Sequence, residues 1–413
     1  MSQIVKNLYI NVKMSNFLFG AFIFAIFFPF IKVIADLDTQ PTALLLGIII
    51  FFAYQRKVVS KPIAVLGISF IFSLFLLNFS DFTFDSLKNS VSYISMFFIP
   101  VATYYMLRCQ NGFKDCYLQW VVYILFFVGF IQTFFLKSFL TFLLPRASSS
   151  IGRGVVGLAT EPTTYGFMCL FLMFICFFHQ PKKMRLYQAL LLIQIIVFAK
   201  SSTVVLLLFA WSFIYMCLFF SFKRLILGML FVSGFLISFM PLFVNTRLFN
   251  VLNLLISNPQ LLFLKDTSAS VRFFHIFFSV LGAFQNFLIP KGFSGYAIYL
   301  YDNLDQYPSY VRTVLLTNEI TNKIMSGYGA ALFELGFVGL IFPVILLVLL
   351  KRFYVGSFRR FLMMSIVITL TLFCAIPLSF PYIGFIYGYL AYYATKKLGV
   401  TRDFSQSQIR KLG

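Results

Sequence analysis

Apolar runs of about 14 to 23 residues return along this whole chain, and that is the length needed to cross ~30 Å of hydrocarbon. Inside a bilayer such a run must satisfy its own backbone N–H and C=O groups, which leaves the helix as its form. Twelve runs can be read, at roughly 16–35, 42–54, 63–79, 91–107, 117–136, 163–179, 186–199, 203–221, 225–243, 328–350, 361–376 and 382–395. The expectation is an all-α, polytopic integral membrane protein, with residues 1–413 forming a single membrane domain of about 12 transmembrane helices. Composition agrees: 61% of residues are hydrophobic and only 11% charged, against about a quarter charged in soluble domains.

Charge placement then predicts the sidedness. With the N terminus inside and the loops alternating, 21 of the 33 basic residues fall in inside loops, where the acids are Asp115 and Asp403. The net charge of +21 is therefore the positive-inside rule at work, and it implies no nucleic-acid partner. Both termini are expected in the cytoplasm. The first apolar stretch is long and lacks a small-residue cleavage site, so it reads as an uncleaved anchor. Six cysteines, none paired in an outer loop, and two histidines predict neither disulfides nor a metal site, and nothing in the chain requires a cofactor.

Most connections are short, but residues 244–326 form one large outer loop between the ninth and tenth runs. Loops of that size usually carry function or structure of their own. Within it, "DTSASVRFFHIFFSVLGAFQN" reads as an amphipathic helix capped by Asp266 or Thr267. Ser268, Arg272, His275, Ser279, Gly282 and Asn286 recur at spacings of three and four, giving one polar or small face on a Phe-rich cylinder. Such a helix would lie in the membrane interface, or pack into the bundle with its polar stripe toward a wet cavity. The stretch 296–325 that follows is polar and Tyr-rich.

Three places carry candidate chemistry. In "GRGVVGLATEPTTYG", Arg153 lies between two glycines and offers a guanidinium fork suited to phosphate. Thr160 is placed to cap the next helix, with Glu161 in its first turn, where the carboxylate either complements the helix dipole or acts as a base. Arg272 with His275 is the second place, amid further outer basic groups: Arg146, Arg247, Lys265, Lys291, Arg312 and Lys323. The third is "SGYGAALFELGFVGLIFP", where Glu334 falls about 12 Å along a helix from Ser326. A carboxylate at that depth is costly unless it is paired or faces water.

These three stretches together resemble the O-antigen polymerase (Wzy) family, within the wider polymerase and ligase group of bacterial surface polysaccharides. "RGVVGLATEPTTYG" resembles the family's Arg, then Gly-Leu-x-x-Glu-Pro, before a membrane helix. "DTSASVRFFHIFF" with "IPKGFSGY" resembles its Asp-x-Ser-x-x-x-Arg helix and Gly-x-x-Gly turn, and "GYGAALFELGFVGLI" its closing Glu-x-Gly-x-x-Gly helix. The likeness spans roughly residues 140 to 345. Ligases of the group carry a His several residues before that Glu; here the chain reads Met325, Ser326, Gly327.

The resemblance implies a glycosyltransferase of the bacterial inner membrane, acting at its periplasmic face on undecaprenyl-pyrophosphate-linked glycans. The alternatives are an O-antigen ligase and a lipid-linked repeat-unit flippase. On this reading Arg153 and Arg272 would stabilise the departing pyrophosphate, and Glu161 or Glu334 would serve as base, with His275 in reserve. Lys291, Arg312, Tyr296 and Tyr299 would help bind substrate. Membrane lipid and a polysaccharide chain-length regulator are the expected partners.

Overall fold

The computed structural model describes residues 16–34, 37, 39–54, 59–79, 83–147, 154–221, 234, 253–254, 257–258, 261, 267–317, 322–374 and 376–412. All regular structure among them is helical. The first half holds α1 (Asn16–Phe27), α2 (Thr42–Tyr54), α3 (Lys61–Phe79), α4 (Phe84–Cys109), α5 (Asp115–Phe134), α6 (Pro162–His179), α7 (Met184–Ile193) and α8 (Ser202–Phe219). The second half holds α9 (Thr267–Gln285), α10 (Gly295–Asn303), α11 (Ser309–Thr317), α12 (Gly327–Glu334), α13 (Ile341–Phe353), α14 (Phe358–Phe373) and α15 (Pro381–Leu412). Six of the helical segments are long and apolar enough to cross a membrane, which fits a multi-pass protein. The apolar run expected at 225–243 lies almost wholly outside the described residues.

Two helices form the centre. The apolar windows of α4 and α6 are each 78% buried, whereas that of α8 is 22% buried and leaves an apolar face outward. α4 packs against α2, α3 and α15. Because buried hydroxyls need partners, tyrosines do much of the tying: Tyr382 of α15 donates to the Phe27 carbonyl at 2.9 Å, and Tyr387 donates to the Phe342 carbonyl at 2.9 Å. At the end where α5 begins and α6 stops, His179 Nε2 lies 2.7 Å from Asp115 Oδ1 and fastens the two helices together.

The expected amphipathic helix is α9, and the Tyr-rich stretch after it folds as α10 and α11. These three share a small core of Phe274, Phe278, Tyr296, Leu300, Val311 and Phe333, the last contributed by α12. Of the two placements open to α9, the structure has the polar stripe turned inward. Ser279 and Gly282 are buried against α12 and α10, while Phe273, Phe277 and Phe284 are exposed. The turn after α9 then docks on α12: Lys291 N–H donates to the Phe333 carbonyl at 3.1 Å and Gly292 N–H to the Glu334 carbonyl at 3.2 Å. Gly336, at φ +60°, makes the dock possible, since a Cβ there would stand 2.2 Å from the Leu288 carbonyl oxygen.

Candidate functional site

Residues 154–160 have no regular structure, yet all seven are buried. Buried loop backbone needs partners, and Gln132 of α5 supplies them. Its Oε1 accepts from Gly157 N–H at 2.8 Å, while its Nε2 donates to the Gly157 carbonyl at 2.9 Å and the Phe139 carbonyl at 2.7 Å. Val155 N–H donates to the Phe198 carbonyl at 2.8 Å, pressing the loop against the π-helical turn Gln194–Ala199 that ends α7. At Gly154 a Cβ would stand 2.1 Å from the Ala199 carbonyl oxygen, so glycine is required by this close approach. The loop thereby reaches the start of α6 in a fixed position.

Glu161, and not Thr160, occupies the cap position of α6. It has extended backbone (φ −144°, ψ 152°), and Pro162 is the first helical residue, where its missing N–H costs nothing. The Glu161 side chain makes no capping hydrogen bond. Instead it lies between two guanidinium groups: Arg146 Nη2 is 3.7 Å from Oε1, and Arg272 Nη2 is 3.7 Å from Oε2. Arg272 also donates from Nη1 to the Thr203 hydroxyl at 3.3 Å, in the first turn of α8. Four separate segments meet here: the 144–147 loop, the start of α6, the start of α8 and helix α9. The side chains of Arg272 and Glu161 are 17% and 31% exposed and that of Arg146 56%, so the cluster opens at the protein surface. Pairs this open contribute about 0–1 kcal/mol each. Nearby, the Ser201 hydroxyl is buried and finds no hydrogen-bond partner among the described residues.

Glu334 has a different setting. It is 4% exposed at the C-terminal end of α12, and the Tyr93 hydroxyl of α4 donates to its Oε2. The Tyr93 ring stacks with Phe293 and Phe342, at centroid distances of 6.1 and 5.9 Å. The hydroxyl bond ties α12 to the central helix α4.

The other expected site residues are distributed as follows. Arg153 lies outside the described residues, as does Asp266. His275 is buried, and its Nδ1 accepts from Met325 N–H at 3.2 Å. Burial, with the charge of Lys323 adding to it, pushes the His275 imidazole down to about 4, which keeps it neutral and assigns the remaining proton to Nε2. Tyr296 and Tyr299 are packed inside the α9–α11 core, where burial raises both phenols, and Tyr299 donates to Gln285 Oε1 at 2.7 Å. Their faces are covered by protein, including Phe333 at 5.4 and 5.6 Å, rather than open to a sugar. Lys291 is exposed, and Arg312 pairs with Asp305 at 3.2 Å. The cluster thus unites Glu161 with Arg272 and adds Arg146 and Thr203. Tyr93 and Gln132 carry no signal in the sequence that sets them apart from other membrane-helix polar residues.

No protein-family model matches the chain, and no curated protein matches it. The family likeness is carried by the three motif stretches alone.

Proposed function

We propose that this chain is a glycosyltransferase of the bacterial inner membrane that polymerises undecaprenyl-pyrophosphate-linked repeat units into a surface polysaccharide, working at the outer face. The observation that carries the reading is the meeting of Arg272 and Arg146 around Glu161, where α6 and α8 begin. Helix N-termini favour anions, and preorganised guanidinium groups stabilise a departing pyrophosphate.

In this reaction a hydroxyl of the acceptor sugar attacks the anomeric carbon of the donor glycan. The new glycosidic C–O bond forms as the bond from that carbon to the pyrophosphate oxygen breaks. Both electrons of the broken bond leave with undecaprenyl pyrophosphate, and the hydroxyl proton passes to a carboxylate. Arg272 and Arg146 face the phosphates, and Arg153, eight residues before Glu161 in the chain, is the third cation assigned there. Glu161 is the better supported base, because Glu334 is buried and already engaged by Tyr93. Met325, Ser326 and Gly327 stand where the ligases carry their His, which favours polymerisation over ligation.

The test is the surface-glycan profile of a strain deleted for this chain and complemented with wild type or Arg272→Ala, with membrane levels matched by blot. Wild type should restore a ladder of repeat units. The variant should stall at a single unit, as expected for a roughly 10²–10³-fold loss on removing one such donor. A deletion strain that keeps full ladders, or lacks even single capped units, would reject polymerisation.

A further inference from the structure

Glu161 already fills the place between two guanidinium groups that a phosphate would take. Its two oxygens are divided between them, Oε1 toward Arg146 and Oε2 toward Arg272, each at 3.7 Å. That separation is well beyond the ~2.7–2.9 Å of a direct charge-assisted hydrogen bond. The carboxylate faces both cations without closing a fork on either. We infer that Glu161 is the resident anion of a phosphate-exchange site: it keeps Arg146 and Arg272 in register without substrate, and a lipid-linked pyrophosphate displaces it from both. The identity of the ligand rests on the polymerase reading, whereas the exchange rests on the geometry.

Three features of the cluster favour exchange over a permanent tie. First, the Glu161 side chain is not tied to its own helix. The residue sits at the cap position of α6 with extended backbone and no capping hydrogen bond, so rotation of its side chain breaks nothing in the helix. Second, the two arginines are unequally exposed: Arg272 is mostly buried and donates to the Thr203 hydroxyl, while Arg146 is more than half exposed on a loop. Third, α6 and α8 both begin at this cluster without a side-chain cap. Neither Glu161 of α6 nor Ser201 of α8 makes a side-chain capping bond, and the Ser201 hydroxyl is a buried group without a partner among the described residues. Phosphate oxygens suit such orphan donors better than one carboxylate can.

The exchange has a chemical consequence. While Glu161 faces the arginines it cannot face an acceptor sugar. Once pyrophosphate holds the arginines, the carboxylate is released at the same spot where the acceptor hydroxyl must lose its proton. Donor binding then arms the base, which orders the two substrates.

The experiment measures binding of inorganic pyrophosphate, by titration calorimetry at fixed ionic strength, to the purified full chain in nanodiscs. Wild type, Glu161→Gln, Glu161→Asp, Arg272→Gln and Arg146→Gln are compared, with thermal unfolding confirming that each is folded. If the carboxylate holds the arginines nine-tenths of the time, removing its charge tightens binding about tenfold. Glu161→Asp, which keeps the charge but shortens the reach, should fall between. Arg272→Gln should weaken binding, and Arg146→Gln should weaken it less. Pyrophosphate binding that is unchanged or weaker in a folded Glu161→Gln overturns the exchange. Loss of binding in Arg272→Gln would in that case leave the polymerase reading standing. Conversely, tighter binding by Glu161→Gln in a chain whose deletion leaves glycan ladders intact would keep the exchange site and remove the polymerase.

Discussion

Glu161 and Glu334, two of the protein's twelve acidic residues, are treated by the structure in opposite ways. Glu161 is about one-third exposed and sits between two cations that touch it at ion-pair distance only. Glu334 is 4% exposed, is bonded by the neutral hydroxyl of Tyr93, and lends its backbone carbonyl to the turn after α9. The first arrangement is wet and loose and can exchange partners at little cost. The second is dry, and its bond cannot be given up without leaving a polar group stranded. A deep acidic residue draws attention in a sequence because its charge would be expensive to bury, yet here the group is engaged by the Tyr93 hydroxyl. The shallower one, at the junction of four segments, has the freedom that chemistry requires.

The comparison breaks most readily at the scaffold of the first site. Gln132→Leu removes partners from Gly157 N–H, the Gly157 carbonyl and the Phe139 carbonyl together. Thermal unfolding in detergent should show a loss of about 2–3 kcal/mol, with activity falling as the loop that delivers Glu161 is released. Should the variant be as stable as wild type, the loop is held by something else and the cluster is not preorganised by Gln132.

Tyr93→Phe probes the second site. The buried Glu334 loses a donor, at a cost of about 1–3 kcal/mol in the same assay. A variant with normal stability but no activity would mean that the bond is instead catalytic.

A smaller effect concerns pH. His275 is held neutral in the fold, with its pKa pushed down to about 4 by burial and by Lys323, against about 6.5 when unfolded. The unfolded chain therefore binds the extra proton first. Stability is full above pH 6.5, declines as pH falls below it, and is lost to this group once pH passes about 4. Hydrogen exchange across α9 and residues 322–326 should rise over that window, and His275→Leu should flatten the rise. Equal slopes in both proteins would place the sensitivity elsewhere.

Smallest of all is Arg146→Gln. A pair exposed to this degree contributes about 0–1 kcal/mol, so the thermal midpoint should not move measurably. The salt dependence of pyrophosphate binding should nevertheless become shallower than in wild type, as one screened cation is removed. A large stability loss would show Arg146 to be a structural tie.

The sequence by itself determined the helical, multi-pass character. A bilayer demands long contiguous apolar segments, and contiguity is a local property. It also marked α9, whose three-and-four spacing is equally local, and it marked Arg272, Glu161 and Glu334, because charges are conspicuous in so apolar a chain. Only the tertiary structure decided which charges meet. Glu161 and Arg272 are paired across more than a hundred residues, and Tyr93, one of 22 tyrosines, finds Glu334 across 241. The inward turn of the α9 stripe was likewise undecided by its pattern, since an amphipathic face does not say whether water or protein covers it; α12 supplied that answer. Tyr296 and Tyr299 teach the same point. Their composition suits sugar stacking or core packing equally well, and the choice was made by Phe333, arriving from a distant helix to cover both rings.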